Sequence, residues 1–168
     1  MKELRTRKNI RLKGYDYSGA GAYFVTICTK DKHEMLGKVV GAATCRPKVR
    51  LSEIGETVNI AINHIGNIYP HITVEHYVIM PNHVHILLRI KESDGRQIAA
   101  PTLQTVIGNM KRFVSMQIGY SIWQRSFHDH VIRDDEDYCR IAQYIEENPA
   151  RWEEDCYYIN KRETGEPS

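Results

Sequence analysis

The chain of 168 residues has no apolar run that approaches a membrane span, which needs about 20 apolar residues. Its basic N-terminus has no apolar stretch of the kind that secretory signals contain, so we expect no signal peptide there. Cysteines are few and scattered, and Cys28, Cys45, Cys139 and Cys156 form no C-x-x-C pair. This spacing disfavours a zinc or disulfide framework. We therefore expect reduced thiols, a cytoplasmic location and no membrane partner.

The net charge of +2 is too small to indicate a partner, but the charges are unevenly distributed. Six cations against one acidic residue lie in the first thirteen positions. Such a basic arm (1–13) suits contact with phosphates, with Lys8 and Arg11 as candidates, although a solvated, frayed terminus is the alternative. The ordinary globular composition predicts a single domain over 1–168, in which the chain after Trp152 (153–168) is a polar tail.

Residue periodicities predict the order of the secondary-structure elements. A strand rich in β-branched and aromatic residues (22–29) comes first, and an irregular hairpin (31–47) with a return strand (48–51) follows. Ser52 and Thr102 are typical N-caps, Gly119 is a typical helix stop, and Pro149 ends a third helix near Asn148. The predicted helices cover 52–68, 102–118 and 134–148, and the predicted strands after the first helix cover 72–80, 83–90 and 126–133.

Without the inserted hairpin and the last helix, the order is β-α-β-β-α-β, which is the ferredoxin-like arrangement. We therefore predict an α+β fold with one antiparallel sheet. Its first two helices would cover one face, and the C-terminal helix would pack near the other face.

The most informative stretch is HYVIMPNHVHILLRI, residues 76–90. Pro81 and Asn82 between two extended runs are typical of a tight turn, so this is an antiparallel hairpin. Alternation along its second strand puts four apolar side chains on one face and His83 and His85 on the other. Two neutral imidazoles on one face suit Mn²⁺, Zn²⁺ or Fe²⁺, and Mg²⁺ less well, if a third ligand joins them. An isolated H-x-H strand also fits structural histidines.

The third predicted helix presents a tyrosine beside its core stripe. Tyr138 lies on the stripe, whereas Tyr144 and Asn148, four residues apart, share one shoulder of the helix. A shoulder position lets the Tyr144 phenol reach a cleft and lets the Asn148 amide oxygen join a metal beside the histidines. The alternative is that Tyr144 is a boundary residue and Asn148 a C-cap before Pro149.

Three separated motifs, HYVIMPNHVHILL, WQRSFHDHVIR and YIEENPARW, resemble those of the single-tyrosine HUH transposases. The opening RLKGYDYSGAGAYFVTICT is similar to that of the REP-associated tyrosine transposase branch, and the resemblance extends from about residue 11 to residue 157. It implies these site residues: the metal pair His83 and His85, the nucleophile Tyr144, and Asn148 as the residue that completes the metal site.

The resemblance implies an enzyme that nicks and joins single-stranded DNA at hairpin-forming, REP-like sequences through a 5′-phosphotyrosine. It implies a divalent metal, Mg²⁺ or Mn²⁺, as cofactor and single-stranded or hairpin DNA as partner. A homodimer is compatible with it, since relatives with this fold commonly dimerise and some build their sites from two chains. The residues themselves add four candidate DNA contacts: Lys111, Arg112, Arg125 and Arg133.

Several alternatives stay open. His128 and His130 form a second H-x-H pair on a strand, and Tyr138 is a second candidate nucleophile. At the level of function, the chain could be a domesticated, non-catalytic nucleic-acid-binding protein. A metal phosphodiesterase that uses water is a further alternative, and its activity would survive Tyr144→Phe.

Overall fold

The computed structural model describes residues 20–41, 46–91 and 101–159. Its strands are β1 (Gly21–Cys28), β2 (Gly37–Val40), β3 (Lys48–Leu51), β4 (Ile72–Met80), β5 (His83–Ile90) and β6 (His128–Ile132). Its helices are α1 (Glu53–Asn63), α2 (Ile65–Ile68), α3 (Leu103–Ile118) and α4 (Asp135–Glu147), with 3-10 turns at Lys30–Lys32 and Asn148–Glu154. Within these described ranges, no helix has the length and apolar character needed to cross a membrane.

The main sheet has the strand order β4-β5-β1-β6, and each neighbouring pair is antiparallel. Helices α1 and α3 pack on one face of this sheet, and α4 packs on the other. The hairpin β2–β3 is an insertion between β1 and α1. The predicted ferredoxin-like α+β fold is therefore confirmed.

Strand β5 lies between β4 and β1 and contributes to both faces of the sheet. Val84, Ile86, Leu88 and Ile90 alternate into the main core under α1 and α3. Burial of each such aliphatic side chain contributes about 1.5–3 kcal/mol. On the opposite face Leu87 packs against α4 in a much smaller apolar cluster. His83 and His85 share that second face with Leu87 because side chains alternate along a strand.

The predicted helix ends are confirmed by their caps. The Ser52 hydroxyl accepts a hydrogen bond from the Gly55 amide at 3.1 Å, and the Thr102 hydroxyl accepts one from the Thr105 amide at 3.2 Å. Gly119 ends α3 with a φ of 84°, a left-handed conformation that glycine adopts without strain. The first predicted helix is divided into α1 and α2, and the last predicted strand is shorter than 126–133.

The first turn of α1 packs so closely on the chain before β2 that only glycine fits at position 55. A Cβ atom on Gly55 would lie 1.9 Å from the Leu36 carbonyl oxygen. Gly55→Ala is therefore expected to lower the free energy of unfolding by about 1–3 kcal/mol, measured by urea denaturation. The matched control is Gly108→Ala on α3, where a Cβ meets nothing within 4 Å. The free energy of unfolding of the control should rise by about 0.5–1 kcal/mol. Equal effects at both positions would contradict the inference that only glycine fits at position 55.

Candidate metal and nucleophile site

The side chains of His83 and His85 lie side by side beneath α4 and are buried. Their Nε2 atoms are 3.0 Å apart, and their ring centroids are 4.5 Å apart. Burial, with a smaller contribution from the Lys32 ammonium, lowers the pKa of His83 to about 3. Burial and the neighbouring His83 hold the pKa of His85 well below its ordinary value. Both imidazoles are therefore neutral near pH 7 and can offer lone pairs to a cation.

Hydrogen bonds at the two Nδ1 atoms set how these rings face the site. The Asn82 amide nitrogen donates to two backbone carbonyl oxygens, 3.1 and 2.8 Å away, so its Oδ1 is the atom that lies 2.9 Å from His83 Nδ1. An amide oxygen only accepts, so His83 carries its proton on Nδ1 and presents a lone pair at Nε2. Thr26 Oγ1 lies 2.9 Å from His85 Nδ1 and can accept its proton in the same way. Such partners orient metal-ligating histidines.

Asp155 and Asn148 are the candidate oxygen donors of this site. The Asp155 side chain is 1% exposed, and its Oδ2 lies 3.9 Å from His83 Nε2. Together with the two imidazoles it forms a group whose ligand atoms all lie within 4.8 Å of one another. Asn148 Nδ2 donates to Asp155 Oδ2 at 2.8 Å, while its buried Oδ1 has no hydrogen-bond partner in the described structure. Two nitrogens with carboxylate and amide oxygens fit a divalent cation such as Mn²⁺.

The Tyr144 hydroxyl lies between the imidazoles and the carboxylate. It is 3.3 Å from His85 Nε2 and donates a hydrogen bond to Asp155 Oδ2 at 3.3 Å. Ile141 and Ile145 anchor α4 on the sheet, whereas Tyr144 is 36% exposed. Burial of its hydroxyl end raises the pKa of Tyr144 well above the ordinary value, and the Asp155 charge raises it further. The phenol is therefore protonated in this arrangement and points at the metal-binding group.

The segment 155–157 covers the imidazole pair. The Tyr157 ring centroid lies 4.5 Å from that of His83, and its amide donates to Asp155 Oδ1 at 2.7 Å. Lys32 Nζ donates to the Cys156 carbonyl oxygen at 3.2 Å. This segment belongs to the predicted polar tail (153–168), and neither Asp155 nor Tyr157 is among the predicted site residues. No periodicity marks them, because the 3-10 turn Asn148–Glu154 redirects the chain towards the site.

The partners of the two Nδ1 atoms can be tested by substitution. Thr26→Val and Asn82→Ala are each expected to weaken Mn²⁺ binding by about 10–100-fold, because the rings lose their fixed orientation. Isothermal titration calorimetry with Mn²⁺ measures this affinity without any reaction. Thr26→Ser keeps the hydroxyl and should retain nearly the original affinity. Unchanged Mn²⁺ affinity in Thr26→Val would show that this hydrogen bond does not orient His85.

Comparison with known proteins places the chain among relatives. No family model matches it. An uncharacterised protein of Haemophilus influenzae is 30% identical over an alignment of 177 positions, which covers 94% of this chain and 96% of the relative. A second protein of that organism, named "Putative REP-associated tyrosine transposase", is 29% identical over an alignment of 145 positions, which covers 81% of this chain and 74% of the relative. The chain is therefore similar to a protein named as a REP-associated tyrosine transposase, in agreement with the resemblance of its motifs.

A solved structure of a REP-associated tyrosine transposase bound to a REP hairpin has the same fold. It covers 90% of this chain and 74% of its own, with a TM-score of 0.59 and 22% identity. The resemblance found in the three motifs is therefore confirmed. The side chains that such chemistry requires converge within one chain, since His83, His85 and Tyr144 all belong to it.

The predicted DNA contacts have different surroundings. Lys8 and Arg11 lie outside the described residues. Lys111 Nζ donates to the backbone carbonyl of Gln124 at 2.6 Å, with two further carbonyls at 3.4 Å. This half-buried ammonium therefore fastens the connector between α3 and β6. Three of the predicted contacts are exposed: Arg112, Arg125 and Arg133.

The competing candidates lie apart from this cluster. His128 and His130 are exposed on β6, and His130 Nε2 lies 2.7 Å from Asp137 Oδ2. In the described part of the chain, the group of three side chains able to hold a metal contains His83 and His85 and neither of these. The Tyr138 ring lies against Arg89, whose guanidinium carbon is 5.6 Å from the ring centroid.

Proposed function

We propose that this chain is a metal-dependent transposase that nicks and joins single-stranded DNA at hairpin-forming, REP-like sequences through a phosphotyrosine at Tyr144. The observation that carries the proposal is the approach of the Tyr144 hydroxyl to His85 Nε2, at 3.3 Å. The similarity to a protein named as a REP-associated tyrosine transposase supports the substrate class, and a solved structure with the same fold is bound to a REP hairpin. The phenol and the imidazoles come from one chain, so a predicted homodimer would not be needed to complete the site.

The metal site would consist of His83 Nε2, His85 Nε2 and one of two oxygens, from Asp155 or from Asn148. A bound Mg²⁺ or Mn²⁺ supplies positive charge that polarises the scissile phosphate and stabilises the departing 3′ oxygen. Asn82 would hold His83 in the tautomer that leaves Nε2 free, and burial keeps both imidazoles neutral near pH 7.

Tyr144 would attack the phosphorus in line with the departing 3′ oxygen. A bond forms between the Tyr144 oxygen and the phosphorus, and the bond from phosphorus to the 3′ oxygen breaks and leaves a 3′-OH. The phenol must lose its proton, and Asp155 Oδ2, at 3.3 Å, is the acceptor that the chain offers. The covalent bond conserves the phosphodiester energy. A 3′-OH can therefore reverse the step and join strands without ATP.

The proposed chemistry has a definite polarity that a gel can measure. The protein is incubated with Mn²⁺ and a hairpin oligonucleotide that has a single-stranded flank, labelled at either its 5′ or its 3′ end. The 3′ label should stay on the protein in a denaturing gel, and the 5′ label should appear in a shorter free strand. EDTA should abolish both products. Cleavage without an adduct would indicate a phosphodiesterase that uses water, and tight binding without cleavage would indicate a non-catalytic binding protein.

A further inference from the structure

The hairpin β2–β3 carries a cationic face that the proposed site does not use. In its register Lys38 lies opposite Arg50, and Val40 lies opposite Lys48. Alternation along both strands puts these side chains on one face of the hairpin. The three cations are exposed, whereas Leu51, on the other face, packs against the main core. We call Lys38, Lys48 and Arg50 the hairpin cations.

The hairpin cations include one like-charged pair, since Lys38 lies directly opposite Arg50. Side chains directly opposite each other on antiparallel strands have Cβ atoms about 4.5–5.5 Å apart, and like charges in that position destabilise the pair. No carboxylate in the described ranges forms an ion pair with any of the three. Arg46, by contrast, is paired with Glu146 at 3.2 Å and is not one of the set. An arrangement that costs folding stability in this way suits an anionic partner.

The base of the hairpin is tied to the metal-binding strand. The amide of Leu36, the residue before β2, donates to the Pro81 carbonyl oxygen at 2.9 Å. Pro81 and Asn82 form the turn that leads directly into His83. A nucleic acid bound on the hairpin would therefore be held at a fixed position relative to the imidazole pair.

We propose that the hairpin cations bind the phosphate backbone of the double-stranded stem of a DNA hairpin. This inference rests on the proposed function for its choice of DNA. Four paired residues span about 13 Å, and a two-stranded ribbon fits the major groove of B-form DNA, which is about 12 Å wide. The major groove of A-form RNA is too narrow and deep for such a ribbon. Contacts to phosphates position the duplex without reading its sequence.

The test compares equilibrium binding of two charge-matched variants of the full chain in EDTA, where no strand is cut. Lys48→Gln/Arg50→Gln removes two hairpin cations, and Lys30→Gln/Lys91→Gln removes two exposed cations elsewhere. The probes are a DNA hairpin, an unstructured DNA strand of the same length, and an RNA hairpin. Thermal melting of both variants checks the fold. Lys48→Gln/Arg50→Gln should not melt earlier, because it relieves the repulsion of Lys38.

For the DNA hairpin, Lys48→Gln/Arg50→Gln should weaken binding at least about tenfold and make the slope of log K against log salt shallower by about 2. Binding of the single strand should stay close to that of the original chain. The proposal is overturned if the two variants bind the DNA hairpin alike, if single-strand binding falls equally, or if the loss is confined to the RNA hairpin. The two proposals can fail separately. If the original chain forms no covalent adduct but Lys48→Gln/Arg50→Gln selectively weakens binding of the DNA hairpin, the role of the hairpin cations is supported and the phosphotyrosine mechanism is refuted.

Discussion

Replacing Tyr144 with phenylalanine is expected to abolish the covalent protein–DNA adduct and to leave binding of DNA and Mn²⁺ intact. The change removes only the hydroxyl, which lies 3.3 Å from His85 Nε2 and is the proposed nucleophile. The ring that packs edge-on against Phe24, with centroids 6.1 Å apart, is kept, so α4 should stay in place. Loss of a nucleophile should lower the rate of adduct formation by at least about 10³-fold. The 3′-labelled hairpin oligonucleotide on a denaturing gel measures this.

Two other tyrosines provide matched controls for that experiment. Tyr138 is on the same helix, and the Tyr157 ring lies 4.5 Å from that of His83. Tyr138→Phe and Tyr157→Phe should both still form the adduct, since neither phenol is the proposed nucleophile. If Tyr144→Phe still forms the adduct and one of the controls does not, the tyrosine replaced in that control is the nucleophile.

Replacing either imidazole of the buried pair should abolish metal binding. His83→Gln and His85→Gln are each expected to weaken Mn²⁺ affinity by more than about 100-fold, since loss of a ligand exceeds the effect of losing its hydrogen-bond partner. Calorimetry with Mn²⁺ measures the affinity directly. Adduct formation should fall in parallel. Thermal melting without metal shows whether each variant keeps its fold.

The second H-x-H pair supplies the control for these variants. His128→Gln and His130→Gln change exposed histidines of the same sheet and should bind Mn²⁺ like the original chain. If either of these variants loses Mn²⁺ binding while His83→Gln retains it, the metal site lies at the histidines of β6. The Mn²⁺ affinities of Asp155→Ala and Asn148→Ala then show which of the two oxygen donors contributes more to metal binding.

Local patterns were sufficient to predict the fold and the placement of the histidines. The turn at Pro81 and Asn82 joins neighbouring strands, so period-two alternation alone determines that His83 and His85 share a face. The shoulder position of Tyr144 follows similarly from the helical repeat. These relations involve residues close together in the sequence, where geometry is nearly fixed by secondary structure.

The remaining parts of the site depend on contacts between distant segments. Asp155 reaches the imidazoles because the chain turns after α4 and Trp152 is buried, and neither event leaves a periodic signal. Local sequence predicts a turn at Asn82, and its role beside His83 follows from two carbonyls that fix its amide. Lys111 is a predicted DNA contact, but carbonyls of the connector surround its ammonium.

The histidine donors and the oxygen donors of the candidate metal site lie in parts of the fold that differ in the free energy of local unfolding. His83 and His85 are on β5, which is hydrogen-bonded on both sides, so their backbone amides should exchange with solvent only when the whole sheet unfolds. Tyr144 is on α4, which rests on a small cluster around Leu87, and Asp155 lies on the segment beyond that helix. The oxygen side of the site can therefore rearrange around a phosphate while the nitrogen side stays fixed.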